Sequence, residues 1–205
     1  MHFEEGYVYH VYNQGNNRQK IFFSRENYLF FTKKIRTHIL PHADILAWCL
    51  MPNHFHLMVY VHTPVLTRDG ITRDATLSRV PRNGNPTTLN KSIGILLASY
   101  TRAIHKQQNI SGSLFRKHTK SINLTKTNKI TPAYFNTQFG TKINIFLPLQ
   151  QYPQICFNYI HQNPVQANIV CNCTDWEFSS ALDYTGLRNG TLVNKEKARE
   201  VGLIE

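Results

Sequence analysis

Two apolar segments separated by a single turn constrain this chain more than any other feature of its sequence. Residues 45–51 and 54–61 are rich in aliphatic and aromatic side chains, and only Pro52 and Asn53 lie between them. Proline and asparagine favour turns, and each segment has the length of a strand rather than that of a helix. The pattern therefore predicts an antiparallel β-hairpin.

The elements on either side of this hairpin predict the fold class. Residues 7–13 are aromatic and β-branched, which favours a strand, and residues 89–104 carry apolar side chains at helical spacing. Ser24 can cap a helix that ends at Pro41, and a strand carrying cations is expected within residues 114–124. The resulting order, β-α-β-β-α-β, predicts an α+β protein with a ferredoxin-like antiparallel sheet and helices on one face.

A further helix is predicted beyond this core. Pro153 suits a first helical turn, and the helix should end near Asn163, because Pro164 disfavours helical geometry in the residue before it. We therefore expect a single domain that consists of a core at about 5–124, an added helix at about 152–163 and a C-terminal extension at 165–205.

The charge balance favours a polyanionic partner. The 205 residues include 23 Lys and Arg against 12 Asp and Glu, which gives a formal net charge of +11. Nucleic acid is the commonest partner of such a surface, although many basic proteins bind none specifically. The sequence has no apolar run long enough to span a membrane and no signal-peptide start, so a soluble cytoplasmic protein is expected.

Side chains with catalytic potential occur in two short motifs. His54 and His56 flank Phe55 on a predicted strand, so both imidazoles share one face at about 6–7 Å from each other. Such a pair can bind one divalent ion, although an isolated His-x-His more often represents two ordinary strand histidines. Tyr159 and Asn163 are four residues apart and share a face of the predicted helix. Because such a tyrosine usually packs and an asparagine before proline usually caps, neither motif alone decides function.

Taken together, four segments resemble the HUH single-tyrosine transposases, and in particular their REP-associated tyrosine transposase branch. They occur in that family's order, as YHVYNQGNNR at 9–18, CLMPNHFHL at 49–57, YIHQNPV at 159–165 and WEFSS at 176–180. The resemblance implies the ferredoxin-like fold predicted above. It also implies an enzyme that cleaves and rejoins single-stranded DNA through a 5′-phosphotyrosine intermediate.

The resemblance implies a role for four residues. Tyr159 falls at the position of the nucleophile, His54 and His56 fall at the metal-binding histidines, and Asn163 falls at the third metal ligand. The implied cofactor is Mg²⁺ or Mn²⁺, which would polarise the scissile phosphate for attack by the phenolate. A phenol with a pKa of about 10 is a poor nucleophile at neutral pH and needs such activation. The implied partner is hairpin-containing single-stranded DNA, bound by a bacterial-type, nucleoid-associated monomer or homodimer.

Other polar residues are expected to contact DNA, although each alone is also consistent with a solvated surface side chain. These residues are Asn13, Asn17, Arg18, Arg102, Lys106, Arg116, Lys117 and Lys120. Gln14 stands where family members often carry Arg, and residues 114–120 depart from the family's usual segment. A predicted surface loop at 63–86 and the unassigned stretch at 125–150 are longer than typical. The resemblance therefore leaves the recognised DNA sequence open.

Three alternatives stay open at this stage. A transposase-derived protein that only binds DNA hairpins would share the fold, although it would not need the tyrosine and the paired histidines. A rolling-circle replication protein or conjugation relaxase shares paired-histidine chemistry, but it usually carries three clustered histidines and a differently ordered tyrosine. A metal-dependent phosphodiesterase that activates water would need no tyrosine nucleophile.

Overall fold

The computed structural model describes residues 1–62, 88–125 and 152–205 in full, together with the backbone of two strands between residues 134 and 143. The predicted loop at 63–86 and most of the unassigned stretch at 125–150 lie outside the described residues. None of the described helices combines the length and the apolar character needed to cross a membrane. The elements are β1 (Val8–Gln14), α1 (Arg25–His38), β2 (Ala43–Met51), β3 (His54–Val61), α2 (Leu89–Gln108), β4 (Lys120–Asn123), β5 (Tyr134–Thr137), β6 (Gly140–Ile143), α3 (Tyr152–Gln166), α4 (Ala181–Tyr184) and α5 (Lys195–Glu200).

Four strands form an antiparallel sheet in the order β2-β3-β1-β4. Strands β2 and β3 pair as the predicted hairpin, with Met51 opposite His54. The central strand β1 places Tyr12 opposite His56 on one side and opposite Lys120 on the other. This strand order, with a helix after β1 and another after β3, is the ferredoxin-like arrangement. The predicted fold class is therefore confirmed.

The two faces of the sheet bury different helices. Helices α1 and α2 cover one face, where Phe31 of α1 packs against Phe55 of β3 with ring centroids 5.2 Å apart. Helix α3 covers the opposite face, where Ile160 is fully buried in a second apolar cluster. Because strand side chains alternate, His54 and His56 lie on the face opposite to Phe55. The added helix and the paired histidines therefore meet on the same side of the sheet.

Helix α3 is longer than predicted. We expected it to end near Asn163, but it continues through Pro164 and ends one turn later. Asn168, which has a φ of 54°, donates its N–H to the carbonyl of Val165, and the following N–H donates to the carbonyl of Pro164. This pair of hydrogen bonds is a Schellman motif, which ends a helix at a left-handed residue. The capping at Asn168 outweighs the conformational bias that Pro164 imposes on the residue before it.

The strand expected within residues 114–124 is β4, which occupies only the end of that range, and the cationic residues before it form a loop. Of the Arg and Lys residues in this segment, only Lys120 lies within β4. The side-chain amide of Asn13 donates to the carbonyl of Arg116 at 3.2 Å and to the hydroxyl of Thr119 at 2.9 Å. Together with the backbone hydrogen bond from the N–H of Arg116 to the carbonyl of Gln14, these side-chain bonds hold the segment against β1.

The C-terminal extension anchors α3 from the side that faces away from β3. The N–H of Trp48 in β2 donates to the hydroxyl of Ser180 at 2.9 Å, and Nε2 of His161 in α3 lies 2.7 Å from the same oxygen. His161 is buried and takes part in this structural contact. Residues two positions away on a helix point in roughly opposite directions, so anchoring His161 leaves Tyr159 and Asn163 facing β3.

Replacing Phe31 with alanine is expected to lower the free energy of unfolding by about 3–5 kcal/mol, because the deletion leaves a cavity. Its side chain has 0% exposure, whereas that of the neighbouring Phe30 is 37% exposed. Phe30→Ala is therefore the matched control, with an expected loss below about 1 kcal/mol. Equilibrium urea unfolding measures both losses, and equal values would contradict the assignment of Phe31 to the core.

Candidate active site

The two imidazoles of β3 are each fixed by a contact at Nδ1. Nδ1 of His54 lies 2.6 Å from the amide oxygen of Asn53 in the hairpin turn. Nδ1 of His56 lies 2.9 Å from Nε2 of His10 on the neighbouring strand β1. An amide oxygen only accepts hydrogen bonds, so a neutral His54 carries its proton on Nδ1 and keeps a lone pair on Nε2. These contacts at Nδ1 orient each ring and determine where its Nε2 points.

The Nε2 atoms of both rings point at one side chain, that of Asn163. Nε2 of His54 lies 3.0 Å from Oδ1 of Asn163, and Nε2 of His56 lies 3.4 Å from its Nδ2. The oxygen therefore faces a ring nitrogen that has no proton to donate. Turning the amide over would place the oxygen against His56 instead. An amide oxygen and an imidazole lone pair that face each other at this distance form a contact that a bound cation stabilises.

These three donors fit a divalent cation. Imidazole nitrogens and an amide oxygen are both ligands of divalent first-row metals, and an amide oxygen also suits Mg²⁺. Within the described ranges, no group of three or more His, Cys, Asp or Glu is arranged to hold a metal, so the set depends on the oxygen of Asn163. All three side chains are uncharged. A cation held by such a set keeps its full charge for additional oxygen ligands, such as those of a phosphate.

Burial keeps the two imidazoles neutral. The pKa of His56 is well below its ordinary value, chiefly because of burial and then because of the neighbouring rings of His10 and His54. Burial also lowers the pKa of His54, and this is partly opposed by the amide oxygen of Asn163, which raises that pKa because it can accept a hydrogen bond from the protonated ring. The pKa of His10 is lowered to about 4 by burial. Neutral rings retain the lone pairs that metal binding requires.

Tyr159 lies beside the paired histidines, one helical turn before Asn163. Its ring centroid is 5.4 Å from that of His56 and 6.3 Å from that of His10. Burial raises the pKa of the phenol, and a hydrogen bond to Asn163 partly opposes that rise. The phenol is therefore protonated at neutral pH. To act as a nucleophile it must lose its proton as it attacks, which nearby positive charge favours.

A cavity of about 1240 Å³ opens over these residues and is lined by all four of the predicted site residues. Its wall carries the cations Arg18, Lys20, Arg116 and Lys120. Among the residues that the structure describes, none of those that line the cavity carries a carboxylate. A wall with one sign of charge attracts a polyanion and holds it beside the imidazoles.

The predicted DNA-contacting residues fall into two groups. Half of them line the cavity, namely Asn13, Arg18, Arg116 and Lys120. Asn17 and Lys117 are sequence neighbours of this group but are not part of the lining. Arg102 and Lys106 lie on α2, which covers the opposite face of the sheet. The structure therefore brings only the first group together with the paired histidines.

Backbone geometry fixes the loop that carries Arg18. A Cβ atom added to Gly15 would lie 2.1 Å from the carbonyl oxygen of Gln19, so only glycine fits there. Asn17 and Arg18 adopt φ values of 51° and 60°, in the left-handed region. The side-chain amide of Asn53 donates to the carbonyl of Arg18 at 3.3 Å. Backbone strain of this kind persists only where surrounding contacts fix it, and here it directs a cation to the cavity.

Three contributors were missed from the sequence. His10 was assigned no role from the sequence, yet its ring contacts His56 directly. The pairing of β1 with β3 was the missing information, because it places alternate residues of both strands on one face. Asn53 was interpreted only as a turn residue, although its place directly before His54 allowed the side-chain contact that is observed. Apart from its charge, nothing in the sequence indicated that Lys20 would line the cavity.

Comparison with known proteins supports the fold. No protein-family model matches the chain, and no curated protein matches it. Among solved structures, the chain is similar to one described as a REP-associated tyrosine transposase bound to a REP hairpin. That similarity covers 95% of this chain and 86% of the other, with a TM-score of 0.51 and 15% sequence identity. At this identity the match shows a shared fold, which agrees with the strand order described above.

Replacing Gly15 with alanine is expected to lower the free energy of unfolding by about 1–3 kcal/mol, because its Cβ would force the loop apart. Gly94→Ala is the matched control. Gly94 lies inside α2 with no atom near an added Cβ, so alanine should stabilise the protein there by about 0.5–1 kcal/mol. Chemical denaturation measures both effects. An unchanged stability of Gly15→Ala would contradict the tight loop.

Proposed function

We propose that this protein cleaves and rejoins single-stranded DNA as a transposase-like strand transferase, through a 5′-phosphotyrosine at Tyr159 and with Mg²⁺ or Mn²⁺. One observation carries the proposal: a phenol, two imidazole Nε2 atoms and an amide oxygen converge in a single cavity walled by cations. The similarity to a tyrosine transposase bound to a REP hairpin supports a hairpin-containing DNA partner.

The reaction requires a phosphodiester between Tyr159 and the paired histidines. Oη of Tyr159 attacks the phosphorus, the bond to the 3′ oxygen breaks, and the 5′ phosphate stays on the tyrosine. The phenol releases its proton as the new bond forms, and the departing 3′ oxygen takes up a proton. A free 3′-hydroxyl reverses these steps, which rejoins the DNA and regenerates the phenol. Because one phosphodiester is exchanged for another, rejoining needs no external energy source.

His54, His56 and Asn163 would hold the divalent ion. When bound, that ion polarises the phosphoryl oxygens and offsets the charge that develops in the transition state. Both rings are anchored at Nδ1, so their Nε2 atoms are held in place before any ligand arrives. Positive charge at this position also lowers the cost of deprotonating Tyr159, which burial has raised.

The cations of the cavity wall would bind the phosphates that flank the scissile bond. Arg18 and Lys20 reach the cavity from the loop after β1, and Arg116 and Lys120 reach it from the segment at β4. Phosphate contacts fix the position of a strand without selecting its sequence. They also release counterions, so affinity should fall as salt concentration rises.

A DNA-hairpin binder without catalysis is the main alternative. It would use the same cations, but it would not need a phenol one helical turn from an amide that bridges two imidazoles. Binding and covalent chemistry can be measured separately on the same DNA. Two sets of variants therefore distinguish an enzyme from a binder.

Tyr159→Phe is expected to abolish covalent attachment, at least about 1000-fold below wild type, because the substitution removes the nucleophile. The assay incubates the protein with labelled single-stranded hairpin DNA and Mn²⁺ and resolves adducts on a denaturing gel. Tyr152→Phe is the control, since that tyrosine lies on the same helix but outside the cavity lining. It should form the adduct as wild type does.

Each other outcome of this assay has a distinct meaning. Equal adduct formation by Tyr159→Phe and wild type would reject the nucleophile assignment. DNA binding by wild type with no adduct would favour the hairpin-binding alternative. An absence of DNA binding would reject the proposed function altogether.

The double variant His54→Ala, His56→Ala should lose Mn²⁺-dependent cleavage by at least about 100-fold and keep most of its DNA affinity. The reason is that the histidines would bind the metal, whereas the Arg and Lys side chains of the cavity wall would bind the phosphates. His42→Ala is the control, because His42 is half-buried and contacts Ser92 at 2.9 Å, outside the cavity. Cleavage at graded Mn²⁺ and fluorescence anisotropy give the two readouts. A parallel loss of cleavage and binding would contradict this division of roles.

A further inference from the structure

His10 occupies a position that neither the metal site nor the DNA contacts account for. It lies on the central strand β1 and is 7% exposed, and its Nε2 is 2.9 Å from Nδ1 of His56. We infer that His10 is a positioning residue that fixes the tautomer of His56, so that Nε2 of His56 keeps its lone pair for the cavity. This inference rests on the proposed metal-dependent function.

The contacts on the two sides of the His56 ring determine where its proton lies. A hydrogen bond between two neutral imidazoles has one donor and one acceptor. In the orientation that the Asn163 amide has in the structure, Oδ1 lies beside His54, and Nδ2 faces Nε2 of His56 as a donor. With the amide in this orientation, Nε2 of His56 accepts. The single proton of His56 is then on Nδ1, and His10 accepts it at Nε2. Nε2 of His56 is therefore the nitrogen available to a cation.

The ring of His10 is itself held in place. It stacks on Tyr12 with centroids 4.8 Å apart and an interplanar angle of 27°, and it meets the edge of Tyr159 at 6.3 Å. Its Nε2 is already engaged by His56, so His10 supports a ligand and is not a third ligand. Asn53 makes the equivalent contact to Nδ1 of His54. Each imidazole thus has its own partner at Nδ1.

Packing alone does not explain a histidine at this position. A phenylalanine ring would fill nearly the same volume, but it offers no acceptor to Nδ1 of His56. Losing that acceptor in a buried site removes the reason for the proton to stay on Nδ1. The proton could then move to Nε2 and point at the amide oxygen of Asn163 after the amide turns. In that arrangement His56 has no lone pair for a cation.

The test measures the tautomer of His56 by two-bond ¹H–¹⁵N correlation spectra of the full chain, without metal or DNA. Wild type should have the proton on Nδ1, and His10→Phe should shift it toward Nε2. Mn²⁺ affinity, followed by electron paramagnetic resonance, should fall about 10–100-fold in His10→Phe. His10→Gln should recover much of both, because its side-chain oxygen can accept the hydrogen bond. His42→Phe is the control and should change neither.

Two results would overturn the inference. One is a wild-type His56 protonated on Nε2, and the other is a folded His10→Phe with unchanged tautomer and Mn²⁺ affinity. If His10→Phe does not fold, the wild-type spectrum and His10→Gln decide the question. A wild type that has the expected tautomer but forms no adduct with hairpin DNA would support the positioning role and overturn the proposed reaction.

Discussion

The contact between the amide of Asn163 and the two imidazoles of β3 is the interaction on which the site depends. It joins His54 to a residue 109 positions later in the chain, and so it connects the hairpin to α3. Helix α3 continues through Pro164, which keeps Asn163 in regular helical geometry and Tyr159 one turn before it. On the far side of the helix, His161 bonds Ser180 and stops the helix from rotating. Contacts on both sides of α3 therefore hold the phenol of Tyr159 towards the histidines.

Electrostatics divide the site into a neutral interior and a positive wall. Burial lowers the pKa of the imidazoles and raises that of Tyr159, so the groups that would perform the chemistry are uncharged at neutral pH. The wall carries Arg and Lys side chains, and no carboxylate lines it within the described part of the chain. A phosphate is attracted by the wall and meets neutral ligands inside. A divalent cation there would be the largest local charge, acting on both the phosphate and the phenol.

The sequence predicts what depends on local pattern and fails where distant contacts decide. Alternation along a strand is a local property, so the shared face of the paired histidines was predictable. One error has a local cause instead: α3 continues past its predicted end, because capping at Asn168 outweighs the bias from Pro164. The partner of His10 is 46 residues away, and its contact depends on strand pairing that a single sequence does not reveal. Arg102 shows the same limit, because charge alone does not say which face of a sheet a helix covers.

Anomalous scattering of Mn²⁺ in crystals of the full chain tests directly whether these donors hold one cation. We expect one anomalous peak in contact with Nε2 of His54, Nε2 of His56 and Oδ1 of Asn163. We also expect Nδ1 of each ring to keep its present partner, Asn53 or His10, when the metal is bound. A peak elsewhere, or no peak in crystals grown with saturating Mn²⁺, would contradict the convergence of these donors on one cation.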